Sequence, residues 1–114
     1  MAVTGVHGIL YSSKPEELRA VLRDVLGWRH WDAGHGWLIF ALPPAELGVH
    51  PGDTPHHEIS LMCDDLDATV AELRGKGIAF RDDRGEAGFG LTITMLLPGD
   101  VPVLLYEPRH PSAI

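Results

Sequence analysis

Apolar and polar residues follow one another in an order that predicts a strand, a helix and three further strands in the first half of the chain. The stretch VTGVHGILYS, residues 3–12, is apolar and β-branched and predicts the opening strand. Leu18, Val21 and Val25 then recur at helical spacing, and Gly27 follows them as a helix stop. The stretches WRHWDA, GWLIFAL and AELGVH predict three strands joined by tight connections. The first half therefore reads as a β-α-β-β-β module.

The second half repeats this order. HHEISLMC predicts a strand, and a helix follows whose apolar face is formed by Leu66, Val70 and Leu73. Gly75 and Gly77 end that helix. A weakly defined strand around IAFRD comes next, followed by GLTITMLL, the turn PGDVP and VLLYE.

Both predicted helices begin at residues suited to capping. Ser13, followed three residues later by Glu16, is a capping-box pattern, and Pro15 suits a first helical turn. In the second half, Asp64 or Asp65 is expected to cap the helix.

The two halves are in register as an internal repeat. His7 and His57 each stand 20 residues ahead of the glycine that ends the following helix. Such a repeat indicates duplication of one module, with a helix covering one sheet face and leaving the other face free. We therefore predict an α+β fold in one domain, 1–114. Two β-α-β-β-β modules, about 1–52 and 53–114, would form a curved mixed sheet with a central cup.

Composition places the chain among cytoplasmic single-domain proteins. Its 114 residues are 45% hydrophobic and 22% charged, which is ordinary for a soluble domain. No apolar run approaches a membrane span, and the N-terminus carries no secretion signal. Cys63 stands alone, so no intramolecular disulfide can form, and packing is expected for it rather than nucleophilic use. A net charge of −7 without basic clusters argues against nucleic acid and anionic membrane as partners.

Two long stretches open the modules: VHGILYS…LRDVLGW in the first and HEISLMCDDLDATVAELRGKGI in the second. Both resemble the vicinal oxygen chelate superfamily, which includes glyoxalase I, extradiol dioxygenases and bleomycin-resistance proteins. The resemblance covers nearly the whole chain and implies a glyoxalase-like fold. It does not choose among activities, because members of that superfamily include isomerases, lyases, dioxygenases and proteins that only bind a drug.

The resemblance implies a divalent ion in the cup, held by a histidine from each opening strand and a carboxylate or amide from each closing strand. His7 and His57 match the opening positions. Imidazole ligands suit zinc, nickel, cobalt, manganese or iron(II), according to geometry and availability. The alternative is that both are half-buried strand residues, and His56 is expected to cap its strand near solvent.

The closing strands allow two registers. One puts the acidic ligand positions at Gly48 and Leu104, neither of which can bind a metal. The other makes His50 and Glu107 equivalent, with both as ligands alongside the opening histidines. The sequence leaves both registers open.

Further residues are candidates for the cup. Glu46 falls on the predicted inward face and is a candidate general base, although a surface acid at a strand start is the simpler interpretation. The candidates to line an apolar pocket for an aromatic or drug-like ligand are Tyr11, Trp37, Phe40 and Tyr106.

The charged segment RDDRGEAG predicts a loop over the cup or an ordinary solvated hairpin. His30, His35 and His110 are expected to face solvent.

Two functions remain in competition. In the first, a metalloprotein uses its ion as a Lewis acid on neighbouring oxygens of a small metabolite, as a lyase, isomerase or dioxygenase. In the second, a metal-free protein resembling the bleomycin-resistance proteins sequesters an aromatic or cationic compound. A homodimer is compatible with both.

Overall fold

The computed structural model describes residues 7–114, whose strands form a two-stranded and a five-stranded sheet. The first half contains α1 (Pro15–Ala20), its π-helical continuation (Val21–Val25), β1 (His30–Asp32) and β2 (Leu38–Phe40). The second half contains β3 (Ser60–Met62), α2 (Leu66–Gly75), β4 (Ala79–Phe80), β5 (Gly85–Ala87), β6 (Gly90–Leu97) and β7 (Val101–Pro108).

The larger sheet has the strand order β3-β7-β6-β4, with β5 also paired to β6. β3 runs parallel to β7, and the other pairs are antiparallel. β1 and β2 form a separate antiparallel pair. The α+β class with a mixed sheet is therefore confirmed.

One face of the larger sheet holds the hydrophobic core and is called the helix face. Ile93 pairs with Leu105 and Met95 with Val103 across β6 and β7, so all four side chains point to this face. All four are buried. The apolar side of α2 packs with them, and its three predicted core residues are all buried: Leu66, Val70 and Leu73.

The opposite face, called the open face, carries the alternate residues of the same strands. Tyr106 pairs with Thr92 and with Met62, and Leu104 pairs with Thr94. These side chains are half-buried, apart from the more exposed Met62. The predicted inward direction of Leu104 and Tyr106 is thus confirmed by the register.

The start of α2 agrees with the sequence. The Asp65 side chain accepts a hydrogen bond of 3.1 Å from the Ala68 N–H, so Asp65 rather than Asp64 is the cap. After the helix, Gly77 has φ +90°, a conformation that glycine adopts without a Cβ penalty.

The capping box predicted at α1 is wrong. Pro15 does open the helix, but the cap position belongs to Lys14, whose side chain makes no capping bond. Ser13 therefore stands one residue too early. The side chain that does form hydrogen bonds at this helix start is Ser12. Its hydroxyl accepts a hydrogen bond of 3.0 Å from the Lys14 N–H and donates one of 2.6 Å to the Pro98 carbonyl. These two bonds tie the start of α1 to the β6–β7 turn.

The first module is less regular than predicted. Residues 7–12 and 41–59 form neither helix nor strand, so the predicted closing strand AELGVH and most of the opening strand of the second module are absent as strands. Residues 3–6 of the first opening strand lie outside the described residues. Four prolines fall in 41–59, and each lacks the N–H that a strand ladder needs. Leu47 and Val49, predicted to face a helix, are 91% and 95% exposed.

The fold also bears on the segment RDDRGEAG and on the expected absence of a membrane span. Part of RDDRGEAG forms β5, which pairs with β6, so this segment is a hairpin and not a free loop. Among residues 7–114, no helix has the length and apolar character needed to cross a bilayer.

Candidate functional site

An aromatic pair stands at one end of the open face, where β7 ends. The rings of Tyr106 and Phe89 meet edge to face, with centroids 5.4 Å apart and planes at 83°. The Tyr106 hydroxyl lies 3.2 Å from Nε2 of His110, and the two rings are 5.9 Å apart. Phe89 is 45% exposed, so this pair offers aromatic surface to solvent.

Glu46 brings a carboxylate to the same place. Its side chain is only 18% exposed, and Oε1 lies 3.9 Å from Nε2 of His110. Its Oε2 accepts a hydrogen bond of 2.8 Å from the Ala113 N–H, which holds the end of the chain against this region. Burial, and secondarily the charge of Glu46, raises the pKa of Tyr106. We call these four residues the aromatic–acid cluster: Glu46, Phe89, Tyr106 and His110.

Sequence reasoning found half of this cluster. Tyr106 and Glu46 were candidates for the cup, and the structure places both beside the open face. His110 was expected to face solvent, but its side chain is only 32% exposed. The chain turns back after Pro108, and only that turn brings His110 to Tyr106. No spacing rule in the sequence signals this contact, and none marks Phe89, which lies between RDDRGEAG and GLTITMLL.

The other three predicted pocket residues lie elsewhere. Tyr11 is 83% exposed and Trp37 is 67% exposed. The guanidinium of Arg19 lies 5.8 Å from the Trp37 ring centroid. Phe40 is half-buried against the core, and its ring lies 5.6 Å from that of His30. Of the predicted pocket residues, Tyr106 is therefore the one that the cluster includes.

The predicted metal ligands do not converge. His7, His50 and His57 are all exposed, and Nδ1 of His50 lies 2.8 Å from the Pro51 carbonyl oxygen. A Cβ placed on Gly8 would lie 3.3 Å from Cδ1 of Ile59, so the two opening segments approach each other at this point. Even so, no three histidine, cysteine or acidic side chains in residues 7–114 are grouped to hold one ion.

Glu107 points away from the open face. It pairs with Leu91 on the helix-face side of the β6–β7 ladder. Its Oε1 accepts a hydrogen bond of 3.0 Å from the Leu66 N–H, in the first turn of α2. This carboxylate therefore serves a helix terminus, where an anion is favoured. The donor set of residues 7–114 therefore does not fit the site that the resemblance implied, with a histidine from each opening strand and a carboxylate or amide from each closing strand.

An exposed apolar patch lies on the two-stranded sheet. Trp31 pairs with Ile39 and shares its face, and these side chains are 77% and 48% exposed. Trp37 stands one residue before β2, and we call these three residues the tryptophan patch. The chain as a whole exposes 8575 Å², against about 6,100 Å² for a monomer of its mass. Its radius of gyration is 15.0 Å, against about 13 Å for a compact chain of this length.

Comparison with known proteins confirms the fold. The chain is similar to TnmS3, an antibiotic-binding protein from Streptomyces sp. CB03234, with TM-score 0.67, 23% identity and coverage of 96% of this chain and 99% of that one. It is also similar to a glyoxalase/bleomycin resistance protein from Streptomyces sp. CB03234, with TM-score 0.54, 22% identity and coverage of 84% and 93%. No family model and no curated protein matches the chain. The glyoxalase-like fold expected from the sequence is therefore present.

Proposed function

We propose that the protein binds a planar, cationic small molecule at the aromatic–acid cluster without using a metal ion. The observation that carries this proposal is the Tyr106–Phe89 edge-to-face pair beside the partly buried carboxylate of Glu46. Aromatic faces bind planar ligands, and a carboxylate in a partly desolvated position attracts a cation more strongly than one in water. The antibiotic-binding function of TnmS3 agrees with this class of function.

Electrostatics favours a cation over an anion. The whole chain carries −7, which raises the local concentration of cationic ligands. The carboxylate of Glu46 acts on Tyr106 in the direction expected of a negative potential, because it contributes to the raised pKa of that phenol. His110 is the basic group of the cluster, and its Nε2 lies 3.9 Å from Oε1 of Glu46.

Binding of proflavine, a planar cation, tests the proposal by isothermal titration calorimetry in the presence of EDTA. We expect one site per chain and weaker binding of 1-naphthalenesulfonate, a planar anion. Glu46→Gln and Tyr106→Ala should each weaken proflavine binding about fivefold to tenfold, since each removes an interaction of about 1 kcal/mol.

Glu58→Gln is the matched control, because it also removes one negative charge, from a side chain that is 76% exposed. Proflavine affinity equal in Glu46→Gln and wild type would refute the assignment to this cluster. Binding lost in EDTA, restored by one divalent ion, and abolished by His7→Ala with His57→Ala would instead favour the metal-dependent function.

We further propose that a second copy of the chain covers the tryptophan patch. The surface in excess of a compact monomer is larger than the about 800 Å² per partner that a standard interface buries. Trp31, Trp37 and Ile39 supply the apolar and aromatic side chains that are enriched in the centre of interfaces. A homodimer would thus bury the tryptophan patch, which is exposed to solvent in the single chain.

Sedimentation velocity over a range of concentrations tests this. The wild type should sediment as a dimer at micromolar concentration, and Trp31→Glu should shift it to monomer, because a buried carboxylate without a partner is strongly unfavourable. Ala68→Glu adds the same charge at an exposed position of α2 and should leave the dimer intact. A monomeric wild type at all concentrations would contradict the proposal.

A further inference from the structure

A cavity of about 270 Å³ lies on the helix face, between α2 and the loop of residues 81–84. Its floor is apolar and is formed by three buried core residues, Leu66, Val70 and Ile93. Because Ile93 and Thr94 point to opposite faces of β6, this cavity and the open face lie on opposite sides of the sheet. Its volume is near the lower end of small-molecule pockets, which suits a ligand with a single ring.

Three arginines stand around the floor. Arg84 donates two hydrogen bonds to the Asp67 carboxylate, at 2.8 and 3.2 Å, and this pair joins the loop to α2. The guanidinium of Arg74 lies 5.4 Å from the Phe80 ring centroid, within the range of a cation–π contact. Arg81 comes directly after β4.

The lining has a net positive charge although the protein is acidic. Arg74, Arg81 and Arg84 stand against Asp67 and Asp82, which leaves one positive charge, in a chain of net charge −7. The ion pairs within residues 7–114 include Arg84 but neither Arg74 nor Arg81.

Asp83, an acidic residue of this loop, forms its hydrogen bonds with β6 and not within the cavity. The carboxylate of Asp83 accepts hydrogen bonds from the hydroxyl and N–H of Thr94. These bonds lower the pKa of Asp83, with a smaller contribution from the charge of Arg81. Asp83 is therefore held at β6. Arg74 and Arg81 outnumber the remaining acidic residue of the lining, Asp82, and can bind an anion over the apolar floor.

We propose that this cavity is a second small-molecule site, which binds a monoanion with an apolar body, of the arylcarboxylate class. The carboxylate would pair with Arg74 and Arg81, and the apolar body would rest on Leu66, Val70 and Ile93. A guanidinium can donate two parallel N–H···O bonds to a carboxylate, and burial of the ring would supply the remaining affinity. The site is independent of the aromatic–acid cluster in both position and preferred charge.

Titration with phenylacetate, followed by backbone amide NMR shifts, tests this site. Shifts should be confined to residues of α2, the loop 81–84 and Ile93. Acetate, which lacks the apolar body, should bind at least tenfold more weakly. 2-Phenylethylamine, which carries the opposite charge, should cause no saturable shifts there. Shifts confined to the open face, or equal affinity for acetate, would overturn the proposal.

Variants separate this site from general charge effects. Arg81→Gln and Arg74→Gln should each weaken phenylacetate binding about tenfold, as expected for loss of a charge-assisted hydrogen bond. Arg23→Gln removes the same charge from α1's continuation and should change nothing. Ala71→Phe, at an exposed position that lines the cavity, should block binding while the protein stays folded. Unchanged affinity in Arg81→Gln and Ala71→Phe would overturn the assignment.

These experiments test the two proposed sites separately, so either assignment can be refuted without the other. Glu46→Gln should leave phenylacetate binding unchanged, and Arg81→Gln should leave proflavine binding unchanged. Loss of both ligands in either variant would indicate a general effect on the fold and would count against both assignments.

Discussion

Replacing Gly90 with alanine is expected to destabilise the protein by about 3 kcal/mol or more, and to lower Tm by about 10 °C or more. Gly90 opens β6, is buried, and pairs with Pro108 at the end of β7. A Cβ there would overlap the Glu107 carbonyl oxygen and would lie 3.3 Å from Cα of Pro108. Both obstacles are backbone atoms of the central strand pair, so relief requires the two longest strands to separate locally.

Gly88→Ala is the matched control, two residues away in the same hairpin. No heavy atom lies within 4 Å of a Cβ placed at Gly88. Its substitution should change stability by less than about 0.5 kcal/mol. Urea and thermal unfolding at one fixed protein concentration measure both variants, because association would otherwise shift the apparent stability. Equal stability of the two variants would mean that β6 and β7 do not approach as closely at Gly90 as the structure has them.

From α2 to β7, the second module was predictable because neighbouring residues determine its helix, its longest strand and its turns. Asp65 caps α2, apolar residues at helical spacing cover one side of it, and GLTITMLL alternates so clearly that β6 spans those same residues. Tight turns then fix the register of β6 against β7. Each step needs only neighbouring residues, and each rests on a capping, periodicity or turn rule.

In the first module, α1, β1 and β2 lie within the predicted stretches, but the predicted closing strand does not form, because its pairing would be long-range. The apolar pattern of AELGVH is real, yet a strand forms only where a partner supplies a hydrogen-bond ladder, and prolines flank this segment on both sides. Sequence alternation cannot say whether such a partner comes from the same chain or from a second copy. Val49 is 95% exposed, as expected for an apolar segment that has no partner strand.

In the candidate site too, the local features were predictable from the sequence and the long-range contacts were not. Tyr106 was placed on the inward face by alternation along β7, and this is correct. His110 reaches Tyr106 only through the turn after β7, and Glu46 reaches His110 from an irregular segment more than 60 residues earlier. These contacts follow from tertiary packing and leave no periodic trace in the sequence. The four predicted metal ligands came from the resemblance to a superfamily, and one of them, His50, lies in a described segment that forms no strand.

Replacing Glu107 with alanine is expected to destabilise the metal-free protein by about 1–3 kcal/mol. The substitution removes the acceptor of the Leu66 N–H, at a helix terminus next to a completely buried side chain. Glu107→Gln should cost less, because its amide oxygen still accepts that bond although the charge is lost. Urea unfolding in EDTA measures both variants.

Glu86→Ala is the control for the loss of a carboxylate from the same sheet. Glu86 is exposed on β5, 3.7 Å from Arg109, and such surface pairs contribute little. If Glu107→Ala were as stable as wild type in EDTA, and less stable only when a divalent ion is present, the carboxylate would be a metal ligand after all. Loss of stability in EDTA would identify it as the acceptor that fixes α2 to the sheet, which leaves the open face to act through Tyr106 and Glu46.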